Sequence, residues 1–381
     1  MISPSPLHTK IIATIGPTVG TYEKIRELIE AGVDVARLNF SHGTHPEHAE
    51  KIAILKRVRK ELGRPLAIML DTKGPEIRLG KIKEGALTLH PKQHWRLVPE
   101  EVEGDAERIS LRPGFVLNQL KVGMHVLFAD GYIAGHIISI DHSGVVVEID
   151  NGGIINSGKN VSFPYVAIDI PSVSDKDIAD IKFGCEQDVD YIAASFVRCA
   201  DDVLEIKKIL ASYNRTDILV IAKIENHEGV ENFDEIVHVA DGIMVARGDL
   251  GVAVPLTHVP RLQKMMIRKS YLAGKPSVTA TQMLESMITN PRPTRAEASD
   301  VANAIYDSTS AVMLSGETAV GKYPIETVKI MRSIAAEAES DFDYRTFFNT
   351  HSPLLFHDVT SAVTLATVKT AYSFNVKAIF V

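Results

Sequence analysis

Eight short apolar runs, each followed by a helical stretch, recur along this chain, and this alternation constrains its fold more than any single motif. The runs are 10–16, 33–40, 66–70, 191–196, 218–225, 241–247, 276–280 and 310–315. The fifth is the most telling. Ile218-Leu-Val-Ile-Ala222 has no polar alternation, as expected of a parallel strand buried on both faces. Helices between the runs have capping residues at their starts, such as Thr21 and Ser174 or Asp175. Strand–helix alternation of this kind builds an α/β fold with a parallel sheet. Eight such units match a (β/α)8 TIM barrel.

The alternation breaks once. From about Gly74 to Ile170 the chain is rich in β-branched residues and in turn dipeptides such as Asp130-Gly131 and Asn151-Gly152. This reads as an all-β insertion large enough to be a domain of its own. The expected organisation is therefore a barrel from 1–73 and 171–342, a β-barrel lid from 74–170, and the beginning of a truncated C-terminal α/β domain from 343–381. The barrel segments together hold about 245 residues, close to the ~250 typical of that fold. In the last segment a helix is expected near 359–372 and a strand over 376–381.

Composition excludes several roles. A net charge of −7 and a pI near 6.1 argue against a broad nucleic-acid footprint. The two cysteines, Cys185 and Cys199, form neither a disulfide framework nor a metal-ligand pattern, which fits a reducing, cytoplasmic location. No apolar run approaches the ~20 residues of a membrane span. The first residues, Met1-Ile-Ser-Pro-Ser-Pro-Leu7, lack the charged start and apolar core of a secretory signal.

The strand ends carry the chemistry. In a barrel, the C-terminal ends of all eight strands surround one mouth. Here they bring Arg37, Asn39 and Ser41; Asp71 and Thr72; Lys223 and Glu225; Arg247 and Asp249; Thr281; and Ser315 and Glu317. Arg78 lies at the junction with the insertion. Each has a structural alternative. Lys223 and Glu225 can be an ion pair, Arg37 can neutralise a carboxylate, and Thr281 and Asp249 can cap helices. Together they place too much charge around one opening for structure alone. Glu225 and Asp249 offer the two hard carboxylates that Mg2+ usually takes. Arg37, Arg78 and Lys223 suit a phosphate. Gly248-Asp249-Leu250-Gly251 opens a short helix whose free N–H groups suit a carboxylate. The sum is an enolate-forming phosphoryl transfer.

Six stretches resemble the pyruvate kinase family: Ala36-Arg-Leu-Asn-Phe-Ser-His-Gly43, Leu70-Asp-Thr-Lys-Gly-Pro-Glu-Ile-Arg78, Ala222-Lys-Ile-Glu-Asn-His-Glu-Gly229, Met244-Val-Ala-Arg-Gly-Asp-Leu-Gly251, Ala280-Thr-Gln-Met-Leu-Glu-Ser-Met287 and Met313-Leu-Ser-Gly-Glu-Thr-Ala319. The resemblance covers nearly all of 8–342. It implies Mg2+- (or Mn2+-) and K+-dependent transfer of phosphate from phosphoenolpyruvate to ADP, giving pyruvate and ATP in the last step of glycolysis. It implies catalytic roles for Lys223, Arg37, Thr281 and Ser315, the last in protonating the enolate. Gly248, Asp249 and Thr281 would hold the substrate carboxylate, and Arg37 and Lys223 its phosphate. Asn39, His42, Arg78 and Lys159 match nucleotide contacts. Glu225 and Asp249 match the Mg2+ ligands, while Asn39, Ser41, Asp71 and Thr72 match those of K+. Glu76 matches the K+-dependent branch, since members with lysine there need no K+. The family's homotetramer and effector site lie partly in the C-terminal domain, of which only the beginning is expected here.

One stretch departs from the family. Where members usually read Lys-Gly-Val-Asn-Leu-Pro-Gly, this chain reads Lys159-Asn-Val-Ser-Phe-Pro-Tyr165. Two other readings stay open on sequence grounds: an enolate-forming aldolase or lyase on the same barrel, and a chain that binds metal and ligand without turnover.

Overall fold

In the computed structural model, which describes residues 7–166, 168–352, 358–374, 376, 378 and 379, the eight runs become eight strands. They are β1 (Lys10–Thr14), β2 (Val35–Asn39), β3 (Ala67–Asp71), β4 (Tyr191–Ala194), β5 (Leu219–Ile224), β6 (Gly242–Ala246), β7 (Ser277–Ala280) and β8 (Ala311–Leu314). Each pairs in parallel with its neighbour in this series, and β8 pairs with β1, so the sheet closes into a barrel without an edge.

Two apolar layers hold it. Inside the barrel, Ile12, Met69, Ala193, Ile221, Met244, Val278 and Met313 fill the lumen. Outside, the other faces of the strands pack against the helices through residues such as Leu38, Leu70, Val220, Val245 and Val312. Apart from exposed residues at strand starts such as Lys10 and Leu219, both faces of the strands are dry, which is why these runs read as continuous apolar stretches. The helices begin where their caps lie. Thr21 accepts from the Lys24 N–H ahead of Tyr22–Ala31, and Ser174 from the Asp177 N–H ahead of Asp175–Glu186. After β5, helix begins at His227, where Asn226 caps it by accepting from the Gly229 N–H. A second helix, Phe233–Val239, follows.

The insertion folds on its own core. Its strands run from Arg78–Leu79 to Val161–Ser162 in a seven-stranded sheet and a two-stranded one. Trp95, Leu97, Phe128, Val147 and Ile149 form a separate apolar cluster. The chain's single tryptophan, Trp95, is fully buried there, edge-on to Phe128. The chain enters the insertion through Gly74, at φ +70°, where a Cβ would lie 2.8 Å from the Ser195 Cβ. Only glycine passes there without moving β4.

After the last barrel helix, Pro324–Asp341, come helices Tyr344–His351 and Val359–Phe374. The strand expected over 376–381 falls mostly outside the described residues, and Val376, Ala378 and Ile379 carry no strand pairing. No described helix is long and apolar enough to cross a membrane.

Trp95→Ala should cost about 3–5 kcal/mol of insertion stability. In native-state hydrogen exchange, strands within 94–149 should lose protection while β1 to β8 keep theirs. Equal loss in both would show one cooperative core instead of two.

Candidate active site

The strand register brings the charged ends together. Asn39 pairs with Asp71 across β2 and β3, and Lys223 pairs with Met244 across β5 and β6. A chain of buried charges results. Arg37 Nε donates to Asp71 Oδ2 at 2.5 Å, and Lys223 Nζ donates to Asp71 Oδ1 at 2.9 Å. Lys223 also lies 3.1 Å from Glu225 Oε1 and donates to Ser195 Oγ at 2.6 Å. Arg37 Nη1 donates to Thr14 Oγ1 at 2.9 Å. Burial opposes the Lys223 ammonium, but Asp71 and Glu225 outweigh it and its pKa rises above the ordinary lysine value. Burial likewise opposes the Asp71 carboxylate, but Arg37 and Lys223 outweigh it and hold its pKa below the usual range. Both groups therefore stay charged.

The acid side behaves differently. Burial pushes the Glu225 carboxyl up to about 7, against the pull of Lys223 and with the help of Asp249. Asp249 is raised too, first by burial, and lies within hydrogen-bonding reach of Glu225. Two neighbouring carboxylates, Glu225 buried and Asp249 half-buried, whose pKa values are both raised lack positive charge. Among the described residues no three His, Cys, Asp or Glu side chains form a metal cage. Two carboxylates are the donor set from which Mg2+ is usually held, with waters and substrate oxygens completing its shell.

A cavity of about 350 Å3 opens over these groups. Its floor is Arg37, Asp71, Lys223, Glu225 and Asp249. Its walls include Asn39, Ser41 and His42 from the β2 loop and Lys73, Glu76 and Arg78 from the entry to the insertion. Asp130, Lys159 and Asn160 of the insertion complete them. The Glu76 carboxylate takes both Nε and Nη2 of Arg78, at 2.6 and 2.7 Å. Asn39 Oδ1 accepts from the Ser41 N–H at 3.0 Å. Asn160 Nδ2 donates to Asp130 Oδ1 at 2.8 Å, which ties down the loop next to Lys159. Of the expected K+ ligands, Thr72 turns inward: its hydroxyl donates to the Ala193 carbonyl at 3.3 Å, and it does not line the cavity.

Gly248 and Thr281 meet at the ends of β6 and β7. A Cβ on Gly248 would lie 2.8 Å from Thr281 Cγ2. Ser315 stands at the end of β8, outside the residues that line the cavity, with its N–H on Glu317 Oε2 at 2.7 Å. Glu317 is wholly buried and also accepts from the Leu284 N–H, so it braces two strand ends. Arg247 turns away from the cavity towards Asp300.

Sequence reasoning missed Ser195 and Phe196. Ser195 Oγ accepts from Lys223 and lies 2.7 Å from the Thr72 carbonyl. The Phe196 N–H donates to Glu225 Oε2 at 2.6 Å. The signal was position alone: both follow β4 directly, at the mouth. At Tyr165 the backbone has φ +61°, which explains why the resembling family carries glycine there.

The family model for the pyruvate kinase barrel domain matches residues 7–328. A protein of Chlamydia trachomatis serovar D named pyruvate kinase is 50% identical over 378 residues, which is 98% of this chain and 78% of that protein. Proteins of the same name from Geobacillus stearothermophilus and Staphylococcus aureus are 48% identical over 97% of this chain and 64% of theirs.

Asp71→Asn leaves two buried cations without their shared anion. It should cost about 3–5 kcal/mol in urea titrations at neutral pH. A cost near zero would mean that water, not Asp71, satisfies Arg37 and Lys223.

Proposed function

The chain belongs to the pyruvate kinase family, and we propose that it transfers the phosphoryl group of phosphoenolpyruvate to ADP, giving pyruvate and ATP. The observation that supports this best is the Lys223 ammonium. It is buried among Asp71, Ser195 and Glu225, at the floor of a cavity that also presents Arg37, Arg78 and Lys159.

In this reading the bond between the enol oxygen and phosphorus breaks, and a bond from phosphorus to a β-phosphate oxygen of ADP forms. The enolate left behind takes a proton at its methylene carbon. Arg37 holds the phosphoryl oxygens, and Asp71 fixes the direction of its guanidinium. Lys223 places a full positive charge where the phosphoryl group passes and where the enolate oxygen develops charge. Its hydrogen bonds to Asp71 and Ser195 are in place beforehand, so little reorganisation is needed. The Gly248 and Asp249 N–H groups and the Thr281 hydroxyl hold the carboxylate. The proton is delivered from the side of Thr281 and Ser315, at the ends of adjacent strands β7 and β8.

Glu225 and Asp249 would hold Mg2+ or Mn2+, and Asn39, Ser41 and Asp71 would hold K+, with the Thr72 hydroxyl turned away to the Ala193 carbonyl; these ions would supply positive charge to the phosphoryl oxygens. Glu76, where members without a K+ requirement carry lysine, supports this K+ requirement; here it pairs with Arg78. Arg78, His42, Asn39 and Lys159 face the nucleotide. The insertion closes over the mouth and excludes water.

Pyruvate should appear only when ADP, Mg2+ and K+ are all present, as read by a coupled dehydrogenase assay. Lys223→Met should lower kcat by roughly 10²–10³-fold or more, with a smaller change in KM for phosphoenolpyruvate. Near-normal turnover in that variant would remove Lys223 from its role. Pyruvate formed without nucleotide would point instead to a lyase.

A further inference from the structure

We propose that Arg247 is a positioning residue for the substrate carboxylate, acting through Thr281 without touching the substrate. This rests on the reading of Thr281 as a carboxylate ligand. The observation behind it is backbone strain. Thr281 has φ +73° and Gln282 has φ +55°. A β-branched residue in the left-handed region is an outlier. Such residues persist only where their surroundings over-determine them.

Arg247 supplies the determination. Strand pairing ends at Ala246 opposite Ala280 on one side of β7, and at Thr279 opposite Val312 on the other. The carbonyls beyond need other donors. One guanidinium provides them. Nη2 donates to the Thr281 carbonyl at 2.7 Å and to that of Gln282 at 3.4 Å. Nε donates to the carbonyls of Ala280 and Thr281 at 3.2 and 3.3 Å. The far side of the group is anchored by Asp300, on helix Arg295–Tyr306, with Nη1 and Nη2 each 2.7 Å from one of its oxygens. Gln263 Oε1, on helix Val259–Leu272, accepts from Nη1 at 3.3 Å. Three successive carbonyls are thus tied to two helices by one planar fork.

The consequence reaches the site because Arg247 immediately precedes Gly248, whose Cα hydrogens face the Thr281 methyl with no room for a Cβ. Holding the Thr281 carbonyl therefore sets the spacing between the Thr281 hydroxyl and the Gly248–Asp249 backbone. A lysine keeps the charge but loses the fork, so it cannot span the same carbonyls.

The test compares wild type, Arg247→Lys and Asp300→Asn. Calorimetry measures binding of phosphoenolpyruvate and of ADP separately, with Mg2+ and K+ present. Steady-state kinetics and melting temperature are read alongside. Arg247→Lys should weaken phosphoenolpyruvate about tenfold or more, roughly 1.4 kcal/mol, and leave ADP affinity unchanged. Asp300→Asn should act in the same direction with a smaller effect. If Arg247→Lys does not fold, Asp300→Asn carries the same expectation. Unchanged phosphoenolpyruvate affinity in a folded variant overturns the proposal, and so does equal weakening of both ligands, which marks general loosening. The proposed reaction is judged separately. A wild type that makes no pyruvate while Arg247→Lys selectively loses phosphoenolpyruvate binding refutes the reaction and supports the role of Arg247. A wild type that turns over while Arg247→Lys binds normally does the reverse.

Discussion

The structure depends on an alternating line of charge buried at one end of the barrel: Arg37, Asp71, Lys223 and Glu225, with Asp249 beyond. Charges of this kind are costly to bury, and only close pairing makes them tolerable. The pairing is incomplete by design of the sequence. At the Arg37 end the ions are satisfied, and the pKa of Asp71 falls while that of Lys223 rises, so that both stay ionised. At the Glu225 end negative charge exceeds positive, and the carboxyl rises towards neutrality. One line therefore presents fixed cations at one end and an excess of negative charge at the other.

Much of this was legible in the sequence because it lies in register with the backbone. Side chains two apart on a strand share a face, so Lys223 and Glu225 had to point the same way. Continuous apolar runs had to be buried on both faces, and eight of them closed the sheet. What was illegible depends on side-chain direction beyond the strand ends. Arg247 and Glu317 carry charges at the mouth in sequence, yet one turns to Asp300 and the other is wholly buried as a brace. Ser195 went unnoticed for the opposite reason. A lone serine carries no signal until the fold brings Lys223 to it. The closing strand expected over 376–381 had no visible partner in the sequence, and its described residues pair with none.

The stretch that departs from the family lies where the insertion meets the barrel. Tyr165 occupies a left-handed backbone position and turns its ring edge-on to His227, with centroids 5.2 Å apart. His227 opens the helix just beyond Glu225 and Asn226. A cavity of about 390 Å3 lies alongside, lined by Phe163, Val166 and Ile168 of the returning chain and by Val252 and Ala253 of the barrel. A bulky side chain at this crossing limits backbone freedom that glycine would have kept. Any movement of the insertion over the mouth must also slide this ring across the imidazole.

The seclusion of Trp95 has a practical consequence. The chain's one indole belongs to the insertion's core and has no solvent contact, whereas the described α-helices belong to the barrel and its C-terminal extension. Intrinsic emission and far-ultraviolet dichroism therefore look at different bodies of the same molecule. Recorded side by side during heating, they form a two-channel thermometer, one for the cover and one for the vessel, with no label attached.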